Sequence, residues 1–117
     1  MIKNYNTRKL GVTSSHRKAM LKNLATSLFL YEKITTTLAK AKELARYSEH
    51  LIAGARPNDL NAKKMLAAEI KNNEVRAKIS GVLIPRYANR HGGFTKIYKL
   101  GTRQGDRAEM AIIKLLS

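Results

Sequence analysis

Apolar residues recur at helical spacing through the first three quarters of the chain. Leu21, Leu24, Leu28 and Tyr31 follow at three- and four-residue steps, with Arg17 one turn ahead of Leu21, and predict an amphipathic helix. Thr13, Ser14 and Ser15 precede it, and any of them can accept a free amide of its first turn, so the helix runs from there to about Leu30. Lys18 and Lys22, one turn apart, border the stripe and give the helix a basic side. Lys33 to Thr37 is brief and β-branched, which fits a short strand or an extended link capping the next helix through Thr36 or Thr37. A second stripe, Leu38, Ala41, Leu44, Ala45, Ser48, Leu51, Ile52 and Ala55, predicts a helix ended by Gly54 and the Arg56-Pro57 pair. Asn58 or Asp59 then caps a third helix to about Lys71, with Leu60, Ala67 and Ile70 inward and Met65 and Leu66 near that side. Val75, Ile79, Val82 and Leu83 predict a short fourth helix ending near Ile84, because proline at 85 disfavours helix at the residue before it.

The pattern changes after Pro85. Arg86 to Gly93 reads as a basic loop, Phe94 to Leu100 and Ala108 to Leu116 as strands, and Gly101 to Arg107 as the turn between them. Such a hairpin is marginal alone, so it must pack on the helices, with Lys33–Thr37 available as a third strand. The predicted fold is α/β of the α+β type, with about four helices on a small mixed sheet that includes a C-terminal antiparallel hairpin. Leu, Ile, Val and Phe make up 28 of 117 residues, enough for one core and hardly two. The expected organisation is an extended basic arm, 1–13, and a single domain, 14–117.

Charge narrows the choice of partners. The formal net charge is +15, and it is unevenly placed. Residues 1–31 hold six basic side chains and no acid; residues 75–105 hold seven and no acid; residues 32–74 mix eight basic with six acidic. The mixed middle reads as ordinary solvated helix. Long acid-free stretches repel themselves in water and make sense against phosphate, where each cation releases counterions. An anionic membrane surface would favour a basic helix with bulky aromatics, and the chain has only seven aromatic residues.

Other chemistries find no support in the residues. The longest charge-free stretch, Asn23 to Tyr31, is far short of the ~20 apolar residues of a membrane span. Met1 to Leu10 lacks a secretory signal pattern. There is no Cys, and the three His share no metal-ligand spacing, so no metal site is expected. Phosphate-binding Gly-x4-Gly-Lys, dinucleotide Gly-x-Gly-x-x-Gly and nucleophile-elbow Gly-x-Ser-x-Gly motifs are missing, and the acids form no pair for proton transfer. Ser14-Ser15-His16 has nucleophile and base at adjacent positions that point apart on a helix start, which leaves capping as the serines' role. The stretch Arg86-Tyr87-Ala88-Asn89-Arg90-His91-Gly92-Gly93 stands out instead. It joins forked cations, a stacking ring and two glycines that let backbone approach a phosphate, parts suited to RNA. Arg103 and Arg107 in the next turn have similar potential.

These residues also resemble a known family. Arg8-Lys9-Leu10-Gly11, then Thr13 through Leu24, is similar to the N-terminal signature of the bacterial large-subunit ribosomal protein L17 family. Ile34-Thr35-Thr36-Thr37 with Ala39 to Leu44, Arg86-Tyr87 with Gly92 to Ile97, Gly101 to Asp106, and Met110 to Ile113 follow in order, over essentially the whole chain. The resemblance implies a structural protein of the large ribosomal subunit, bound to its RNA near the exit side of the polypeptide tunnel, cytoplasmic, with small ribosomal proteins as neighbours. It implies no enzymatic activity, no cofactor, no membrane and no small-molecule substrate. Carried over residue by residue, the RNA contacts are Arg8, Lys9, His16, Arg17, Lys18 and Lys22, then Arg86, Arg90, Gly92, Gly93, Lys96, Arg103 and Arg107. The arm departs from the family, with Ile2, Asn4, Tyr5 and Asn6 in place of a denser basic run and Val12 where a basic residue is common. The rival readings are a free RNA- or DNA-coating protein outside the ribosome and an enzyme acting on RNA.

Overall fold

The computed structural model describes residues 14–90 and 92–116. The expected arm, 1–13, lies outside them. Helix α1 spans Ser14–Tyr31, strand β1 Lys33–Thr37, α2 Leu38–Ala55 and α3 Leu60–Glu69. An interrupted helix follows: α4 Asn73–Lys78, a π segment Ile79–Leu83 and a last turn, α5, Ile84–Arg86. Strands β2, Thr95–Thr102, and β3, Glu109–Leu115, complete the chain. The result is an α+β fold, helices against one three-stranded sheet.

Local chemistry explains the boundaries. The Thr37 side chain accepts from the Lys40 amide at the start of α2, and Asp59 accepts from Ala62 at the start of α3. Each such cap contributes about 1 kcal/mol. α3 ends at Glu69 with Ile70 already extended, and Asn72 accepts from the amides of both Glu74 and Val75 and starts α4. Helix α1 ends on Glu32 in the left-handed region (φ 64), whose amide donates to the Leu28 carbonyl at 2.7 Å. Glycine is the usual residue there, and Glu32 occupies it with its side chain committed elsewhere, as described below.

The sheet order is β1-β3-β2, and every pairing is antiparallel. The mixed sheet expected from sequence is therefore corrected to a purely antiparallel one. The cause lies at the end of α1: the Glu32 carbonyl accepts the Leu115 amide at 2.8 Å, so β1 begins where β3 ends. Ala111, Ile113 and Leu115 of β3 point to the helices and are buried, with Ile34 and Thr36 beside them on β1. They share one core with Ala25, Leu28 and Phe29 of α1, Leu44, Leu51 and Ile52 of α2, and Leu66 and Ile70, which pack behind α2. Each large apolar side chain buried here contributes about 1.5–3 kcal/mol.

Three expected core positions are corrected. Tyr31 and Leu60 are 68% and 67% exposed, because both sit at helix ends beyond the edge of the packed layer. Val82 is also exposed, and the fourth helix does not stop at Ile84. Pro85 has no amide to donate and its ring would press on the carbonyl four residues back. The helix widens instead into a π turn, in which the Ile84 amide donates to Ile79 five residues back, and then continues through Arg86. Widening sets the buried face at steps of four, Val75, Ile79, Leu83 and Tyr87, and rotates Val82 outward.

Candidate nucleic-acid interface

The expected contact residues fall into three regions. Arg8 and Lys9 lie outside the described residues. His16, Arg17, Lys18 and Lys22 occupy the N-terminal half of α1, with Arg17 one turn before the buried Leu21 and Lys18 and Lys22 flanking the buried side. Arg86, Arg90, Gly92, Gly93 and Lys96 gather where α5 passes into β2. Arg103 and Arg107 sit at the far tip of the hairpin, about 20 Å along the strand from Lys96 by strand rise. The fold thus brings together the five residues around the glycine loop and keeps the other two groups apart.

Not every one of these cations is uncommitted. On α1, Lys18 is exposed, while Lys22 lies 3.9 Å from Glu69 of α3. Glu69 also accepts the Tyr47 hydroxyl at 2.6 Å. Burial, helped by that carboxylate, pushes the Tyr47 phenol well above its ordinary range, so it stays a donor and ties α2 to α3. Arg86 grips both oxygens of Glu32, at 2.6 and 3.3 Å, and Lys78 approaches the same carboxylate at 2.9 Å. The Arg86 hydrogen bonds, then that of Lys78, hold the Glu32 carboxyl down to about 2. Arg86 therefore serves as a bracket between α1 and α5, with its guanidinium 5.8 Å from the Tyr87 ring. At the hairpin tip, Arg103 forks onto Asp106 at 2.8 and 2.6 Å and holds that exposed carboxyl far below its usual range. Arg107, beside it, is exposed, takes a left-handed backbone (φ 57) and has no ion pair among the described residues.

The glycine loop is built on an aromatic pair. Tyr87 and Phe94 are fully buried, with ring centroids 4.9 Å apart, and the Tyr87 hydroxyl donates to the Leu116 carbonyl. Arg56, read from sequence only as part of a helix stop, staples this loop. Its guanidinium donates to the Tyr87 carbonyl at 3.1 Å and to that of Arg90, and lies 5.2 Å from the Phe94 ring centroid. Glu49 accepts the Phe94 amide at 3.2 Å, and Arg90 donates to the Gly93 carbonyl at 2.9 Å. No spacing in the sequence signals the Arg56 contact, which joins residues more than thirty positions apart. Gly93 has φ 69, which explains its lack of a side chain. Gly92 shows no such need: it is exposed, and a Cβ at its position meets nothing among the described residues beyond its chain neighbours within 4 Å. Lys96 is exposed on β2 with its amine 5.7 Å from the Tyr98 ring.

Among the described residues no three His, Asp or Glu side chains converge as a metal site would require, and no helix is long and apolar enough to cross a membrane. These features define a small, strongly basic protein that presents cations on an α+β scaffold. The model of the ribosomal protein L17 family matches residues 20–116. The large ribosomal subunit protein bL17 of Endomicrobium trichonymphae is 56% identical over 117 residues, the full length of both chains. That of Elusimicrobium minutum is 50% identical over 117 residues, 99% of each chain. The Helicobacter hepaticus protein of the same name is 49% identical over 109 residues, 93% of this chain and 94% of its own. The chain belongs to the ribosomal protein L17 family. It is a structural component of the bacterial large ribosomal subunit, in the cytoplasm, and not an enzyme.

Proposed function

We propose that this protein holds its place in the subunit by binding large-subunit ribosomal RNA through its acid-poor segments, while the mixed middle helices serve as scaffold. The observation that carries this reading is the segregation of charge: residues 1–31 and 75–105 supply nearly the whole excess of +15, and α2 and α3 almost none. Phosphate contacts explain such segregation, since each one releases counterions and offsets the mutual repulsion of the cations. The contact set is Arg8, Lys9, His16, Arg17, Lys18 and Lys22 at the start, then Arg90, Gly92, Gly93, Lys96 and Arg107. Arg86 and Arg103 join through the face of their guanidinium groups left open by Glu32 and Asp106. An exposed Gly92 with open space around its Cα among the described residues supports close approach of an RNA backbone to this loop. Family membership supports a seat near the exit side of the polypeptide tunnel, beside small ribosomal proteins. The basic residues of the arm, 1–13, add to the same set of contacts as those of α1.

Charge reversal tests this division. Arg17→Glu with Lys18→Glu is expected to cut incorporation into large subunits at least tenfold. Lys63→Glu with Lys64→Glu, on the exposed side of α3, leaves incorporation within twofold of wild type. Equal losses from the two pairs, read by co-sedimentation through a salt series, refute the separation of binding segments from scaffold.

A further inference from the structure

The antiparallel register aligns three lysines that are far apart in sequence. Lys33 of β1 pairs with Lys114 of β3, and Lys114 pairs with Lys96 of β2. Residues directly opposite share one face of a sheet, so the three form a row across its full width, about 10 Å. This face points away from the helices, because Ile113 and Ala111, which alternate with Lys114 and Ile112, are buried against them. All three lysines are exposed, and none has an ion pair among the described residues. The row beside it is Thr35, Ile112 and Tyr98 in the same register, and the Tyr98 ring is 46% exposed.

Three like charges placed directly opposite one another destabilise a sheet. Sheets commonly carry alternating or opposite charges on a solvated face, and this one carries no acid in either row. A ligand that offers several anionic groups in line, and flat rings beside them, complements both rows at once. A single RNA strand does so: phosphates along the lysines and a base on the aromatic ring, the mode by which other open sheets hold single-stranded RNA. A bilayer surface supplies anionic charge and an interfacial seat for a tyrosine, but no planar base for the ring to stack on.

We infer that the open face of the sheet is a second RNA-binding surface, on which Lys33, Lys96 and Lys114 contact the backbone of a single-stranded segment and Tyr98 stacks on one of its bases. The inference rests on the ribosomal RNA reading above and adds to it Lys33, Lys114 and Tyr98, which complete one face with Lys96. Lys33 and Lys114 both come from stretches of mixed charge.

The test uses the full chain and in vitro transcribed large-subunit ribosomal RNA. In the variant Lys33→Gln, Lys96→Gln, Lys114→Gln, the log–log salt slope of binding is expected to fall by about two, three contacts at about 0.7 each. Its thermal midpoint stays at or above that of wild type, since a repulsive row is removed, so a loss of binding is not a loss of fold. Tyr98→Ala weakens binding about five- to 150-fold, and Tyr98→Phe restores it. A triple variant with wild-type slope and affinity overturns the inference. If Arg17→Gln with Lys18→Gln still lowers the slope, the broader RNA reading survives that result. A triple variant that keeps its RNA slope but no longer enters subunits assigns the face to a protein neighbour and also overturns it. Wild-type protein that fails to bind this RNA at low salt removes both readings together.

Discussion

Glu32 offers the sharpest test of how the described fold is held. Its carboxylate sits at the corner where α1 ends, β1 begins and α5 passes by, and it receives Arg86 in a forked contact and Lys78 at 2.9 Å. The perturbation is Glu32→Gln, which keeps the shape and the left-handed backbone preference of the site and removes the charge. A carboxyl held at about 2 in the folded chain, against 4.5 when free, corresponds at full strength to about 3 kcal/mol. A third of the side chain is exposed, and solvent screening reduces this to about 1–2 kcal/mol. In a domain of this size that is a drop of about 4–10 °C in Tm at neutral pH.

The sign of the pH dependence follows from the lowered value. The unfolded chain takes up the proton first, so the contribution is complete above pH ~5 and fades as pH falls through about 4.5 toward 2. Urea denaturation of both proteins at pH 7, 4.5, 3 and 2 reads this directly. The gap in stability between wild type and Glu32→Gln is expected to close across that acid window. A gap that is the same at pH 7 and pH 2, or no gap at pH 7, refutes the assignment of this carboxylate as an ionised bracket.

Two further predictions concern the glycine loop. Arg56→Ala removes two bonds to loop carbonyls and the contact with Phe94, and is expected to cost about 1–2 kcal/mol while raising amide exchange selectively over residues 87–94; uniform exchange changes across the chain argue against a local staple. Gly93→Ala is expected to destabilise by about 1–2 kcal/mol because of its left-handed backbone, while Gly92→Ala leaves the thermal midpoint unchanged and lowers RNA affinity. An affinity unaffected by Gly92→Ala removes the close backbone approach from the RNA reading.

The chain by itself determined most of its helices, its strands and its family. Period, capping and turn chemistry are local, so Thr37 and Asp59 mark the starts of α2 and α3 and the turn-rich Gly101–Arg107 separates the two C-terminal strands. The segregated charge and the family motifs are likewise written in one dimension, and they led to the ribosome without a contact map. Tertiary structure decided what depends on which distant residues meet. It made the sheet wholly antiparallel, because β1 starts where β3 ends. It carried the last helix past Pro85 through a π turn, an outcome of packing Tyr87 into the core rather than of local preference. It also sorted the cations. Arg86, Arg103 and Lys22 look alike with Lys18 and Arg107 in the sequence, yet the first three each face a carboxylate. Lys33 and Lys114, ordinary among mixed charges, become a row with Lys96 only through strand register. Period and composition are properties of neighbours along the chain, whereas the partner of each charge is set by register and packing between residues many positions apart.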